Sequence, residues 1–131
     1  MKHVYPATLL PEPDGRYSIW FSDLRGAVTF GSTLPEALEN AEEVLSSWLY
    51  LSNKLGREIP TPSTITEVKL EPGQFATLVC GDPEAHKKRI ESRAVKKTLT
   101  LPSWLNERAE SAGVNFSQIL QDGIKQQLGL Q

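Results

Sequence analysis

The stretch Val95-Lys96-Lys97-Thr98-Leu99-Thr100-Leu101-Pro102 decides how the chain is organised. Leu99 and Leu101 alternate with Lys96, Thr98 and Thr100, the period of a short β-strand with one apolar face and one row of hydrogen-bonding side chains. Pro102, with no N–H to donate, stops it. Beyond Pro102 the apolar period lengthens to three and four residues. Leu105, Ala109 and Ala112 predict a helix from about Ser103, ended by Gly113. Asn115 is a natural N-cap for a second helix that presents Phe116, Ile119, Leu120, Ile124 and Leu128.

The segment 94–131 is slightly shorter than the roughly 40 residues at which a lone domain usually buries enough surface to fold without a staple. The chain's one cysteine, Cys80, lies outside it, and His3 and His86 are the only histidines. Neither a disulfide nor a histidine/cysteine metal cage is therefore expected, and no cofactor. Two copies pairing through their strands would satisfy the strand edge and close one shared core, which predicts a symmetric homodimer. The resulting antiparallel ribbon would show Lys96, Thr98 and Thr100 twice, a shape and chemistry that fit the major groove of B-DNA. The N-terminus of the second helix, at Asn115, Phe116 and Ser117, offers free backbone N–H groups to a phosphate.

Upstream the pattern is different. Residues 4–10, 16–21 and 26–31 are short runs rich in Val, Tyr, Ile, Trp, Phe and Thr, separated by Pro11-Glu12-Pro13-Asp14-Gly15 and Ser22-Asp23-Leu24-Arg25-Gly26. Three strands in an antiparallel meander follow, with Pro6 placing the first strand at an edge or leaving it paired there only through its carbonyl. Thr33 and Glu36 have capping-box spacing with Pro35 in the first turn, so a helix begins. Leu34, Ala37, Leu38, Ala41, Leu45, Trp48, Leu49 and Leu55 form its apolar stripe, and Gly56 ends it. Glu36, Glu39, Glu42 and Glu43 read as a solvated face favoured by the helix dipole. Residues 63–72 fit either a short helix from Thr64 or a strand through Val68 and Leu70. Phe75 to Cys80 reads as a strand returning to the sheet, with Cys80 buried. Asp82-Pro83 could cap a short helix through the basic stretch that follows, but Ile90 is its one large apolar residue, so a linker is expected there. The expected organisation is a first domain at 1–84, a basic linker at 85–93 and a second domain at 94–131, an α+β chain.

With 39% hydrophobic and 23% charged residues the composition is that of a globular protein. Apolar runs fall far short of the roughly 20 residues that cross a bilayer. Lys2, Val4, Tyr5 and Pro6 do not form a secretory leader, so no membrane association and a cytoplasmic setting are expected. The net charge of −2 hides an uneven distribution: residues 1–80 hold 6 Lys/Arg against 10 Asp/Glu, residues 81–131 hold 8 against 6. Lys87, Lys88, Arg89, Arg93, Lys96 and Lys97 crowd together against Glu91 alone, a local feature able to attract a polyanion or simply a solvated linker.

Catalysis is not expected. A two-metal nuclease needs several carboxylates aimed at two cations, and the three expected strands contain none. Asp14 and Asp23 lie in turns, where such side chains ordinarily hold the local backbone. His3 and His86 have no nucleophile beside them in the sequence.

The segment 95–102 followed by two short helices resembles the ribbon-helix-helix DNA-binding module of small bacterial repressors. Lys97 departs from the pattern, since it stands where an apolar residue is usual; it is expected to snorkel at the ribbon's end. By position the resemblance assigns base reading to Lys96, Thr98 and Thr100, and phosphate contact to Asn115, Phe116 and Ser117. Residues 1–63 resemble the HicB antitoxin family. The resemblance rests on Tyr5-Pro6-Ala7, Pro13-Asp14-Gly15-Arg16-Tyr17-Ser18, Phe21-Ser22-Asp23-Leu24-Arg25-Gly26, Gly31 to Ala41 and Ile59-Pro60-Thr61-Pro62, in that order. It implies a partial RNase H-like N-terminal domain with one main helix, and a type II toxin–antitoxin system. In that system the chain would block a small basic HicA-type ribonuclease and repress its own operon at operator DNA, as a dimer or a tetramer. The acidic first part is complementary to a basic, RNA-binding toxin. The alternative is a ribbon-helix-helix transcriptional regulator whose N-terminal domain senses a ligand or assembles oligomers, with no toxin partner.

Overall fold

The computed structural model describes residues 2–130, and the chain divides into two compact units, 1–93 and 94–131. The terminal residues of both expected domains, 1 and 131, lie outside the described range.

In the first unit β1 (His3–Pro11), β2 (Tyr17–Trp20), β3 (Val28–Gly31) and β4 (Phe75–Gly81) form one antiparallel sheet in the order β3-β2-β1-β4. The meander turns at the expected residues. Asp14 accepts hydrogen bonds from the Arg16 backbone N–H at 3.0 Å and from its guanidinium at 2.8 Å. The backbone N–H makes the larger contribution to holding the Asp14 carboxyl below the usual carboxylate range. β1 is an inner strand of the sheet, so of the two readings of Pro6 the edge strand is excluded. β2 pairs with β1 only over Thr8–Pro11, which leaves Pro6 with a neighbour on one side alone, β4, as a residue without an N–H to donate allows.

Helix α1 (Leu34–Lys54) starts where Thr33 Oγ1 accepts from the Glu36 N–H at 3.2 Å. The Glu36 carboxylate receives the N–H of Ser32. Ala41, Leu45 and Leu49 are buried in one cluster with Tyr5, Ala7, Leu9, Ile19, Phe21 and Val79, Trp48 packs against it, and Ala37 is buried in the first turns of the helix. Leu34 and Leu55, at the ends of the expected stripe, are exposed. Two glycines set how closely α1 lies on the sheet. A Cβ on Gly31 would overlap the Ala37 backbone, and one on Gly81 would come within 2.6 Å of Leu45 Cγ.

After α1 the chain crosses back. Tyr5 donates its hydroxyl to the Pro60 carbonyl at 2.5 Å, and Asp23 accepts from Ser63 N–H and Oγ at 2.8 and 2.7 Å. Residues 65–67 make a single 3₁₀ turn, and the Glu67 carboxylate reaches back to the Thr64 N–H at 2.9 Å. Val68 and Leu70 belong to no strand.

Two further expectations fail in this unit. Cys80 is exposed, since it alternates with buried Val79 and Gly81 on edge strand β4 and takes the outer face. The segment expected to be a linker is instead mostly helix α2 (Pro83–Glu91). Asp82 caps it by accepting from Ala85 N–H at 3.1 Å, and the Asp82 N–H donates to Ser46 Oγ of α1 at 2.9 Å. Pro83 and His86 are buried and Ile90 is half-buried, so one large apolar residue suffices when a proline and a neutral imidazole share its face.

Candidate nucleic-acid interface

The second unit contains two helices, α3 (Ser103–Ser111) and α4 (Phe116–Gln127). The Pro102 carbonyl opens α3 by accepting from Leu105 and Asn106 N–H. At its other end Gly113 (φ +68°) takes the left-handed conformation and Val114 N–H closes back on the Ala109 carbonyl at 3.1 Å. Asn115 is the N-cap of α4, its side chain accepting from Gln118 N–H at 3.0 Å. With Gln118 satisfied, the N–H groups of Phe116 and Ser117 in the same first turn have no intrahelical acceptor.

Lys96, Thr98 and Thr100 lie exposed on the segment leading into α3. No residue between Ala94 and Pro102 is in a strand, contrary to the expected β-strand. A strand exists only by pairing, and a single copy provides no neighbour for it. Among the described residues no hydrogen bond joins this segment to the Asn115–Ser117 turn, so one copy does not gather the six candidate residues into one cluster.

Neither α3 nor α4 buries a single residue. Leu99 is 63% exposed, Trp104 61%, Ile119 57% and Leu128 66%. Leu105, expected to be buried, is 39% exposed. Arg108 lies over the Trp104 ring at 5.9 Å, on the edge of this apolar surface. The unit therefore has secondary structure without a core of its own, and leaves Leu99, Leu101, Trp104, Ile119, Ile124 and Leu128 exposed.

In the first unit the basic cluster Lys87, Lys88 and Arg89 lies on α2. His86 packs its ring against Tyr50 at 5.5 Å and its Nδ1 lies 3.1 Å from the Arg89 guanidinium. Burial first, and Arg89 second, push the His86 pKa below its ordinary value, so the ring is held neutral. The fixed inner face turns Lys87 and Lys88 outward, and both are exposed. The cap at Asp82-Pro83 is visible in the sequence, but the helix is set aside there for want of large apolar residues; the signal overlooked is His86, four before Ile90 on the same face. Asp14 and Asp23 are engaged in the backbone bonds described above. Among the described residues no group of three or more His, Cys, Asp or Glu side chains is placed to hold a metal ion, and no helix is long and apolar enough to cross a membrane.

Residues 5–121 match the family described as HicB_like antitoxin of bacterial toxin-antitoxin system. Antitoxin HicB of Escherichia coli (strain K12) is 39% identical over 64 residues, which cover 47% of this chain and 44% of that protein. The match thus spans less than half the length of the curated relatives. Among solved structures, a toxin–antitoxin complex from Streptococcus pneumoniae aligns with TM-score 0.65 and 26% identity over 97% of this chain and 99% of that one. The Burkholderia pseudomallei antitoxin HicB shares the fold, with TM-score 0.54 and 19% identity over 96% of each chain.

Proposed function

We propose, from the premise that the chain belongs to the HicB-like antitoxin family of bacterial toxin–antitoxin systems, that its two units divide the work of such an antitoxin. The first unit binds and blocks a HicA-type toxin that cleaves mRNA. The second dimerises and holds operator DNA, so that the chain represses its own operon in the cytoplasm.

The observation that carries the reading is the second unit's uncovered apolar stripe beside an open row of Lys96, Thr98 and Thr100. A second copy laid antiparallel along 95–101 supplies the missing ladder partner and covers the leucines. It also doubles the polar row into a ribbon of the width a major groove admits. Asn115, Phe116 and Ser117 then meet the phosphates on either side through free N–H groups and the helix dipole. The toxin half of the reading is supported by family membership, by the likeness to the pneumococcal toxin–antitoxin complex, and by the acidic balance of residues 1–80.

Coexpression with the product of the neighbouring gene, copurification and an RNA-cleavage assay test the proposal. The partner should copurify, cleave RNA when freed, and be silenced when the chain is restored. Residues 1–93, which have their own core, should be sufficient for silencing. A neighbour that neither binds nor cleaves RNA contradicts the toxin half.

A further inference from the structure

The first unit's sheet has two edges, β3 and β4, and they are finished differently. β3 is four residues long; its Phe30 carbonyl accepts from Asn40 Nδ2 of α1 at 2.9 Å, and the Arg16 guanidinium lies over the Phe30 ring at 5.6 Å. β4 is seven residues long, Phe75-Ala76-Thr77-Leu78-Val79-Cys80-Gly81, and carries neither charge nor proline. Sheet proteins ordinarily blunt a long apolar edge of that kind, because its free N–H and C=O groups template another strand.

The β1 ladder decides which backbone groups of β4 are free. Glu12 N–H donates to the Arg16 carbonyl at 2.7 Å, so Glu12, Leu10 and Thr8 turn their backbone toward β2 and, by alternation, Leu9, Ala7, Tyr5 and His3 turn theirs toward β4. Their opposites Phe75, Thr77, Val79 and Gly81 are engaged, and Ala76, Leu78 and Cys80 point N–H and C=O away from the sheet. Asp82, next in that series, turns its N–H outward to Ser46 Oγ. Leu78 stands opposite Pro6, which has no N–H to offer it. Among the described residues nothing bonds the outward backbone groups of Ala76, Leu78 or Cys80. On the sheet face away from α1, Leu78 is 54% exposed, Cys80 is exposed, and Val4 opposite Cys80 is exposed as well.

A second copy of the same strand matches this edge. Laid antiparallel about a two-fold axis at Leu78, it sets Leu78 against the copy's Leu78 and Ala76 against the copy's Cys80, and every such pair exchanges two hydrogen bonds. An axis at Cys80 would set Leu78 against Asp82, whose N–H is already given to Ser46. An axis at Ala76 would set it against Gln74, in the turn before the strand. The Leu78 axis therefore makes the fullest ladder, and it brings two exposed leucines together between small side chains. A basic partner finds no carboxylate on this strand to recognise, whereas an uncharged strand of the same pattern covers it.

We propose that β4 pairs with β4 of a second copy, antiparallel and centred on Leu78, joining two four-stranded sheets into one. This goes beyond the proposed function and does not depend on it.

The test is disulfide cross-linking of the full chain, whose one cysteine is Cys80, under mild oxidation and read on a non-reducing gel. Opposed Cα atoms in hydrogen-bonded pairs lie about 5.5 Å apart, within the span that a disulfide bridges. Ala76→Cys, which faces the copy's Cys80, and Leu78→Cys/Cys80→Ser, which faces itself, should shift to the covalent dimer. The wild type, whose Cys80 faces Ala76, and Phe30→Cys/Cys80→Ser, with its cysteine on the other edge, should stay at the single-chain mass. Adding Leu78→Lys to Ala76→Cys should abolish the cross-link and adding Leu78→Val should keep it; Leu78 is exposed, so both chains keep the core. A wild-type chain or a Phe30→Cys/Cys80→Ser chain that cross-links as readily as Ala76→Cys overturns the inference, and so does a cross-link that survives Leu78→Lys. Absence of the covalent dimer from both Ala76→Cys and Leu78→Cys/Cys80→Ser overturns it too. Each of these results leaves the second unit's pairing and its DNA binding to their own tests.

Discussion

Gly81 and Gly31 place α1, and their side-chain hydrogens are all that the helix tolerates. Gly81→Ala drives a methyl into Leu45 and should cost about 1–3 kcal/mol by overpacking, visible as a lower thermal midpoint of the full chain with the α4 cap intact. Asn115→Ala removes the bond to Gln118 N–H and should destabilise α4 by about 1 kcal/mol, seen as reduced helical signal and weaker DNA binding. His86 introduces a pH dependence. Its folded pKa is depressed by burial and by Arg89, with Glu43 opposing and Arg93 adding to the depression, so the unfolded chain takes up a proton first. Stability is full above the ordinary value of about 6.5 and declines as pH falls through it toward the folded pKa. The protection factors of the amides over residues 83–92, with the intrinsic pH dependence of exchange divided out, should fall between about pH 7.5 and 5.5 in the wild type. His86→Phe, which keeps a ring against Tyr50 but does not titrate, should flatten that response; an equal fall in the variant would place the titration elsewhere.

The elements divide by how local their causes are. β1 to β3, α1 and the caps at Thr33, Asn115 and Gly113 are legible in the sequence, because alternation, four-residue spacing and turn residues act over a few positions. α2 is hidden there because its burial depends on partners far along the chain: Tyr50 beneath His86 and Ser46 beneath Asp82. Cys80 misleads because an apolar run does not say which of its faces meets a helix. The ribbon strand is legible as a pattern and absent as a structure in one copy, since a strand's hydrogen bonds need a neighbour that one copy does not supply. At this scale the recognition row is testable. Replacing Thr98 or Thr100 by alanine should change discrimination between operator bases by about 1–3 kcal/mol for each well-formed base interaction removed, measured by competition among single-base operator variants. Uniform weakening across all variants would make the row a phosphate contact.

For the whole molecule, the first unit is a folded object with its own buried core, whereas the helices of the second bury no residue in one copy, and the proposed function completes its core with a second copy. That asymmetry links the two proposed roles: toxin binding can persist in residues 1–93, whereas DNA binding requires association. The apolar residues left open on one copy of 94–131 are too many for a stable solvated surface, so association should be tight and should fail when charge is placed on the seam. The measurement that addresses this directly is sedimentation velocity of the full chain beside its Leu99→Asp/Leu101→Asp variant. The native chain should sediment with at least twice the 14.6 kDa chain mass and bind its promoter, and the variant should lose both the seam and the DNA while keeping the first unit folded. A native chain that stays at a single copy's mass at every concentration, or a variant that assembles and binds DNA unchanged, would contradict it.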